Sequence, residues 1–502
     1  MAGTRQKMIP VAWALLAGAL QFASHAPIGA YPASWFGLAI LALLWRRGSI
    51  GQNAITGLAF GAAHFGLGCG WLYTALSKYD GYDQTIVIAA ALFNIGVQSS
   101  LVAIAGMVVA RIRPTRPAMH YLLLLPCTWI LMELARAWTQ FPWLAVGYGQ
   151  VDSSLSHWLP VLGVYGVSGI TMLLAGLLAM VVESAAANRW RPAVAAAVVL
   201  AGSQALGQVQ WTQADGDPVS VAIVQGNYSS KIKWLPQQLL PTINEYVAET
   251  RDIIAKRHPQ VVIWPETAIP AQYQRVEPQL QALSTELAAA KVDLLTGTLS
   301  RIGRGETAQN YNAVILLGSR FEEYRKARLV PLTEYLPSIL PADFIEARHR
   351  EGIAIFSHGE EAQAPLTVAG LPVRVSICFE SLFGDFLRSE AGTVAYQVTV
   401  TNDDLFIETR MPYQHMEITR VRAMETGRDI VRAANSGFSA LIAFDGEVRG
   451  KTRLQQREVF YTDVQPRQGK TPYIRWGDSM ALCIGVLGLL AVALASRRKT
   501  AA

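Results

Sequence analysis

Three short segments carry residue types that could do nucleophilic catalysis. Val261-Val262-Ile263-Trp264-Pro265-Glu266 reads as a buried strand that delivers a carboxylate just past a proline. Strand ends are where α/β enzymes display their working groups, although most glutamates in such places are merely solvated. Val373-Arg374-Val375-Ser376-Ile377-Cys378-Phe379-Glu380 is a β-rich strand that ends in a cysteine, with a glutamate two residues on. A sulfur at a strand-to-turn junction has backbone N–H groups beside it, as attack and an oxyanion hole require. A single cysteine is nevertheless more often a buried structural residue. Between these two, Tyr324-Arg325-Lys326 sets an ammonium eight residues ahead of Glu334, among turn-forming prolines. On its own Lys326 reads as part of a basic surface with Arg325 and Arg328. Together the three are far more specific than any one: a carboxylate to move a proton, a cation to hold negative charge, a thiol to attack.

The segments that would position these groups alternate strand and helix. Short β-rich runs at 219–225, 260–264, 293–298, 313–318, 373–377 and 395–401 are separated by helical patterns such as 240–257 and 276–290. This predicts a layered α/β domain. The chain around it is of another kind. Of the 502 residues 51% are apolar and only 16% charged, and the mean hydropathy is +0.25; soluble chains carry about a quarter charged residues. Apolar runs lie at 9–26, 28–45, 54–76, 85–110, 119–137, 159–182, 191–208 and 476–496. Those at 54–76 and 85–110 are long enough to span a hydrocarbon layer of about 30 Å. The expected architecture is a membrane α-helical bundle of about eight transmembrane helices plus one α/β domain. Seven helices occupy 1–212, the polar domain 213–475, and the last helix with a basic tail 476–502. Glu133 and Arg136, near the end of the fifth run, are expected to reach toward the interface.

Charge is divided in the same way. Residues 1–212 hold 11 Lys/Arg against 5 Asp/Glu, whereas 213–475 hold 29 against 31. The net charge of +6 therefore belongs to the membrane-like parts, which removes the main reason to propose nucleic-acid binding. Arg5, Lys7, Arg46, Arg47, Arg111, Arg113, Arg116, Arg189, Arg191, Arg497, Arg498 and Lys499 fall at the termini and in alternate connections. Only Lys78 and Arg136 fall in the short connections between them. That bias places both termini in the cytoplasm and the polar domain on the far side, the periplasm of a Gram-negative cell. The connection 138–158 carries Trp138, Phe141, Trp143, Tyr148 and Trp158, which suit an aromatic belt and a lipid-handling loop equally well. Cys69, Cys127 and Cys483 lie in apolar runs, against a disulfide framework. The eight histidines show no ligand spacing, and no glycine-rich phosphate loop appears; neither a metal nor a cofactor is expected.

The three chemical segments resemble the carbon–nitrogen hydrolase (nitrilase) superfamily, whose Glu–Lys–Cys triad sits in an αββα sandwich. Here the triad corresponds to Glu266, Lys326 and Cys378. The likeness extends to Glu334, to Thr401-Asn402-Asp403, and to Arg428 through Asn435-Ser436-Gly437-Phe438-Ser439. With seven helices before the domain and one after it, essentially the whole chain resembles bacterial apolipoprotein N-acyltransferases. Pro331-Leu332-Thr333-Glu334 stands where that family usually has Pro-Phe-Gly-Glu, and Asp404-Leu405-Phe406-Ile407 where it has Ala-Trp-Phe-Gly. The resemblance implies a bacterial inner-membrane enzyme that moves a fatty acyl chain from a phospholipid to the α-amino group of an apolipoprotein's N-terminal diacylglyceryl-cysteine. Cys378 would carry the acyl group as a thioester and Glu266 would act as base. Lys326 and the Phe379 N–H would hold the oxyanion, with Glu334 and Glu380 in support. Trp143, Trp234 and Leu405 are candidates for lining the acyl route. The alternative is a membrane-anchored amidase using the same triad with water as acceptor, for which a single anchor would suffice. A transporter would need ionisable groups deep in the helices; only Glu133 and His64 stand out there, and no paired array is expected.

The topology is testable. A reporter fused near residue 230 should read periplasmic and one at the C-terminus cytoplasmic. A cytoplasmic reading near residue 230 would overturn the membrane map.

Overall fold

The computed structural model describes residues 2–497 except 79–82, 339, 341, 344 and 347–355. Arg498 and Lys499, counted in the basic tail, lie outside them. Two compact units emerge. One comprises Met1–Trp211, Glu408–Val421 and Thr471–Ala502; the other comprises Thr212–Ile407 and Arg422–Lys470.

The first unit is helical. Among the described residues four helices are long and apolar enough to cross a membrane: Gln84–Ile112, Pro117–Ala137, Ser154–Glu183 and Ser479–Ser496. Ile50–Cys69 and Trp71–Lys78, bent by 45° at Gly70, make a fifth if taken as one span. The apolar runs near the start and at 191–208 form the helices Ala2–Ala23, Tyr31–Arg47 and Trp190–Leu206. Small residues let helices approach closely. A Cβ on Gly61 would lie 2.6 Å from Ser99 Cα, and one on Gly57 would lie 2.8 Å from Val102 O.

Glu133 and Arg136 do not reach outward. They are 1% and 2% exposed and 4.0 Å apart. Glu133 accepts from Trp129 Nε1 and the Val146 N–H, and Arg136 donates to Gln98 Oε1 and Trp143 O. Both therefore find partners inside the unit, which a buried charge requires. His64 is also buried and packs against the ring of His25, whose Nδ1 lies 3.1 Å from Glu417 Oε2. The helices thus hold paired ionisable groups that the sequence did not reveal.

The second unit contains fourteen strands among its described residues. They are β1 (Thr212–Ala214), β2 (Val219–Gln225), β3 (Val261–Ile263), β4 (Asp293–Ile302), β5 (Gln309–Leu317), β6 (Glu322–Arg325), β7 (Leu366–Val368), β8 (Leu371–Ile377), β9 (Tyr396–Thr401), β10 (Ile430–Ala434), β11 (Ala440–Ile442), β12 (Val448–Lys451), β13 (Glu458–Val464) and β14 (Arg467–Gly469). One six-stranded sheet runs β13-β2-β3-β4-β5-β6, the other runs β12-β11-β10-β9-β8-β7, and β1 pairs with β14. Helices Leu239–Arg257 and Tyr273–Ala290 cover the first sheet. Ile243, Tyr246, Ile253, Val276, Leu280 and Leu287 pack there on Val224, Val262, Leu294 and Ile315. The two sheets meet face to face. Polar contacts tie them together: Ser439 Oγ and Thr452 Oγ1 both donate to Gln225 Oε1 at the end of β2, and the Ala369 N–H donates to Asp293 Oδ2.

The core of the second sheet contains an ion pair. Arg432 on β10 and Asp403 are both fully buried and lie 2.9 Å apart; Thr401 Oγ1 also donates to Asp403. Replacing Arg432 with Met would leave a buried carboxylate without its cation, a loss of about 3–5 kcal/mol. Thermal unfolding of the purified variant should show a clearly lowered Tm; an unchanged Tm would contradict this account of the pair.

Candidate active site

Glu266 owes its place to the end of β3. The Trp264 N–H still pairs with Leu295 O, and the Trp264 ring is fully buried, stacked on Tyr246 and bonded through Nε1 to Thr250. Pro265 then removes the donor that would continue the ladder. The chain turns at Thr267, whose φ is +47°. A β-branched residue in the left-handed region costs about 1–3 kcal/mol and persists only where its surroundings enforce it. Gly297 on β4 backs the turn. A Cβ there would lie 2.5 Å from Pro265 O and from Thr267 N, and 2.6 Å from Glu266 Cα.

Lys326 follows β6 and is 1% exposed. Its N–H pairs with Asn312 O on β5. Its ammonium stands 2.9 Å from Glu334 Oε1 and 3.6 Å from Glu266 Oε1. Asn312 Nδ2 bridges the same two oxygens at 3.0 and 2.8 Å. Glu334 is fixed in turn by the Val330 N–H, which donates to Oε2 at 2.8 Å. Burial works against the Lys326 charge, but Glu334 first and Glu266 second outweigh it and hold the ammonium above its ordinary range. Burial and then the Glu334 charge push the Glu266 carboxyl up, while Lys326, Asn312 and Lys233 pull it down.

Cys378 terminates β8 with φ +51°. This strained strand-to-turn residue opens the short 3₁₀ turn Cys378–Leu382, which carries Phe379 with its ring against Phe383. The carboxylate of Glu380 is fully buried. It accepts from Tyr324 OH, from the Ala327 and Arg328 N–H groups, and from the Ile377 N–H. Glu380 thus staples the segment after Lys326 to the strand before Cys378. The sulfur lies within 4.8 Å of an Asp403 carboxylate oxygen. Burial first and the Glu266 charge second push the thiol above its ordinary range, with Lys326 and a hydrogen bond to Thr401 opposing.

The structure therefore brings Glu266, Lys326, Glu334, Glu380 and Cys378 into one neighbourhood of the second unit. Trp234 is 46% exposed, and Leu405 is half-buried on the turn Asp404–Phe406. Trp143 belongs to the helical unit, where it is buried and donates to Gln414 Oε1 at 2.7 Å. In its loop Tyr148 is buried too, while Trp138 is 84% exposed. Sequence reading missed Asn312, Lys233 and the turn at Thr267, and it gave Tyr324, which it quoted beside Lys326, no role of its own. A polar residue inside the apolar run Tyr311–Leu317 was the available signal for Asn312.

Comparison with known proteins gives the class first. Residues 220–473 match the carbon–nitrogen hydrolase family, so the strand ends described here belong to an enzyme of that type. A solved carbon–nitrogen hydrolase from Helicobacter pylori is 14% identical, with a TM-score of 0.39 over 49% of this chain and 89% of that one. Residues 17–177 match the apolipoprotein N-acyltransferase N-terminal domain. Proteins named apolipoprotein N-acyltransferase are similar over nearly the full length. The one from Methylococcus capsulatus is 35% identical over 97% of this chain and 96% of its own, and that from Nitrosomonas europaea is 34% identical over 96% and 97%. The chain belongs to the apolipoprotein N-acyltransferase family.

The raised thiol has a direct consequence. A free thiol titrates near pH 8.5, and Cys378 lies above that, so its thiolate fraction is small at neutral pH. Alkylation of Cys378 by iodoacetamide, read peptide by peptide in a mass spectrometer, should keep rising from pH 7 to 9 without a plateau. It should slow further in Lys326→Met, which removes the opposing cation. A plateau below pH 8 would contradict the electrostatics described.

Proposed function

We propose that the chain transfers a fatty acyl group from a membrane phospholipid to the α-amino group of the N-terminal diacylglyceryl-cysteine of an apolipoprotein, with Glu266, Lys326 and Cys378 as its catalytic triad. The observation that carries this reading is the convergence of a buried ammonium, two carboxylates and a strand-end thiol in a chain of this family. In the first half-reaction Cys378 Sγ attacks the ester carbonyl carbon. A C–S bond forms, the ester C–O bond breaks, and the thiol proton passes through Glu266 to the departing lysophospholipid alkoxide. Because both thiol and carboxyl are raised, the proton moves as attack proceeds rather than in advance. Lys326 and the Phe379 N–H hold the developing oxyanion, and Glu334 and Glu380 keep the cation and the thiol in place. In the second half the neutral amine attacks the thioester carbon. A C–N bond forms, the C–S bond breaks, and the amine's proton returns through Glu266 to the sulfur.

The same reading takes the eight apolar helices as spans, with both termini cytoplasmic and the domain over 213–475 periplasmic at the inner membrane. The positive-inside bias supports that arrangement. Trp143, Trp234 and Leu405 remain candidates for contact with lipid, Trp234 with the greatest exposure.

One nucleophile serving two bulky substrates implies that they take turns. Phospholipid alone should yield lysophospholipid and a hydroxylamine-labile adduct of one acyl chain on Cys378. Cys378→Ala should abolish that adduct, and initial rates with both substrates should be ping-pong. Release of lysophospholipid with no adduct, or an adduct on Cys69, Cys127 or Cys483, sinks the proposal.

A further inference from the structure

Among the described residues Lys326 and Lys233 are the two buried lysines, and the triad accounts for only the first. Lys233 ends the short helix Ser230–Lys233. Its neighbours Ile232, Trp234 and Leu235 are 53%, 46% and 42% exposed while the lysine is 3% exposed. This segment inverts the ordinary preference of apolar residues for the interior and of lysine for water. The inversion has a specific target. Lys233 Nζ donates to Thr267 Oγ1 at 2.5 Å and to Thr267 O at 3.3 Å. Thr267 directly follows Glu266 and holds the left-handed turn. The Glu266 segment is therefore clamped, with the Gly297 backbone against it and the Lys233 ammonium bonded to its turn. The lysine's own helix is anchored by the Ser230 N–H, which donates to Asp404 Oδ2 at 2.7 Å.

We propose that Lys233 is a positioning residue for Glu266, fixing the turn at Thr267 and supplying the second positive charge of the site. The proposal rests on the reading of Glu266 as the base. Its electrostatic logic follows from the groups present. Glu266 faces Glu334, Lys326 and Lys233; Lys233 faces Glu266 and Asp404; Asp403 near Cys378 is already matched by Arg432. With Lys326 alone, the pair Glu266 and Glu334 would carry an excess negative charge in a buried pocket, and Glu266 would hold its proton more tightly. Burial lowers Lys233 to about 8, against the pull of Glu266 and Asp404. Its charge is therefore present below that pH and fades as pH rises through it.

The test uses the purified full-length enzyme with phospholipid donor and lipoprotein acceptor. Lys233→Met should lower kcat by about 10–100-fold, as misplacement of a reacting group does, with KM changed less than about threefold. It should also move the acidic limb of the pH–kcat profile to higher pH, because Glu266 loses a cation that favours its ionised form. Adding Thr267→Gly to Lys233→Met should recover at least about threefold in kcat, since glycine takes a positive φ freely. The acidic limb should stay displaced, because the charge is still missing. If Lys233→Met does not accumulate, Lys233→Gln keeps a donor toward Thr267 and must still show the displaced limb. Wild-type kcat and acidic limb in the Lys233 variants, alongside an inactive Glu266→Gln, overturn this inference and leave the triad standing. An active Glu266→Gln brings down the reading on which it rests.

Discussion

The second unit depends on one buried ammonium. Lys326 sits with almost no solvent between Glu334 and Glu266. Taking such a charge out of water costs several kcal/mol unless opposite charge and hydrogen bonds meet it. Much of the local sequence supplies that compensation. Glu334 is delivered by a turn whose own Val330 N–H holds it, Asn312 on β5 spans both carboxylates, and Glu380 fixes the backbone just after the lysine. Three strand ends and the interior of β5 must converge for this to happen. The first sheet contributes Glu266, Asn312 and Lys326, and the second brings Cys378. A sandwich of two sheets can meet that demand because its strand ends share one seam.

In the proposed mechanism the same electrostatics decide how the thiol is used. A thiolate formed in advance would need more positive charge than the pocket offers, since Glu266 and Asp403 both face the sulfur. A raised thiol beside a raised carboxyl instead favours a proton that leaves while the new bond forms. Backbone strain at Cys378 and Thr267 fits this picture. Neither residue can relax without redirecting the Cys378 thiol or the Glu266 carboxylate, and the closely packed positions around them, Gly297 and Glu380, leave little room to do so.

Much of this was legible in the sequence, and the failures have physical causes. Strands rich in β-branched residues, such as Val219–Gln225 and Leu371–Ile377, stood out, as did the helices near 240–257 and 276–290. Glu458–Val464 did not, because its residues alternate half-buried and exposed. Ile430–Ala434 was hidden by Arg432, a charge that only the partner Asp403 makes tolerable in a central strand. Glu266, Lys326 and Cys378 stood out as candidates because strand ends and turn residues mark them locally. Asn312 and Lys233 did not, since their roles come from groups far away in the sequence. The segment Glu408–Val421 reads as part of the polar domain yet counts with the helices, held there by contacts such as Gln414 to Trp71 and Trp143.

The helical unit adds what a soluble carbon–nitrogen hydrolase does not need. Each methylene moved from lipid to water costs about 0.8 kcal/mol, so drawing one long acyl chain into solution would cost on the order of 10 kcal/mol. A barrier of that size slows a reaction by about seven powers of ten. An enzyme using the proposed donor and acceptor gains more from staying with the bilayer than from any refinement of its triad. The buried polar groups of the helices fit that purpose better than they fit a conduction path. Glu133 and Arg136 are paired and turned toward the connection 138–158, where they bind the Val146 N–H and Trp143 O. Charges spent on fixing a loop are not free to carry an ion or a proton. The pair therefore argues for a rigid, pre-shaped loop at the membrane, the kind of support that positioning two lipid-bearing substrates requires.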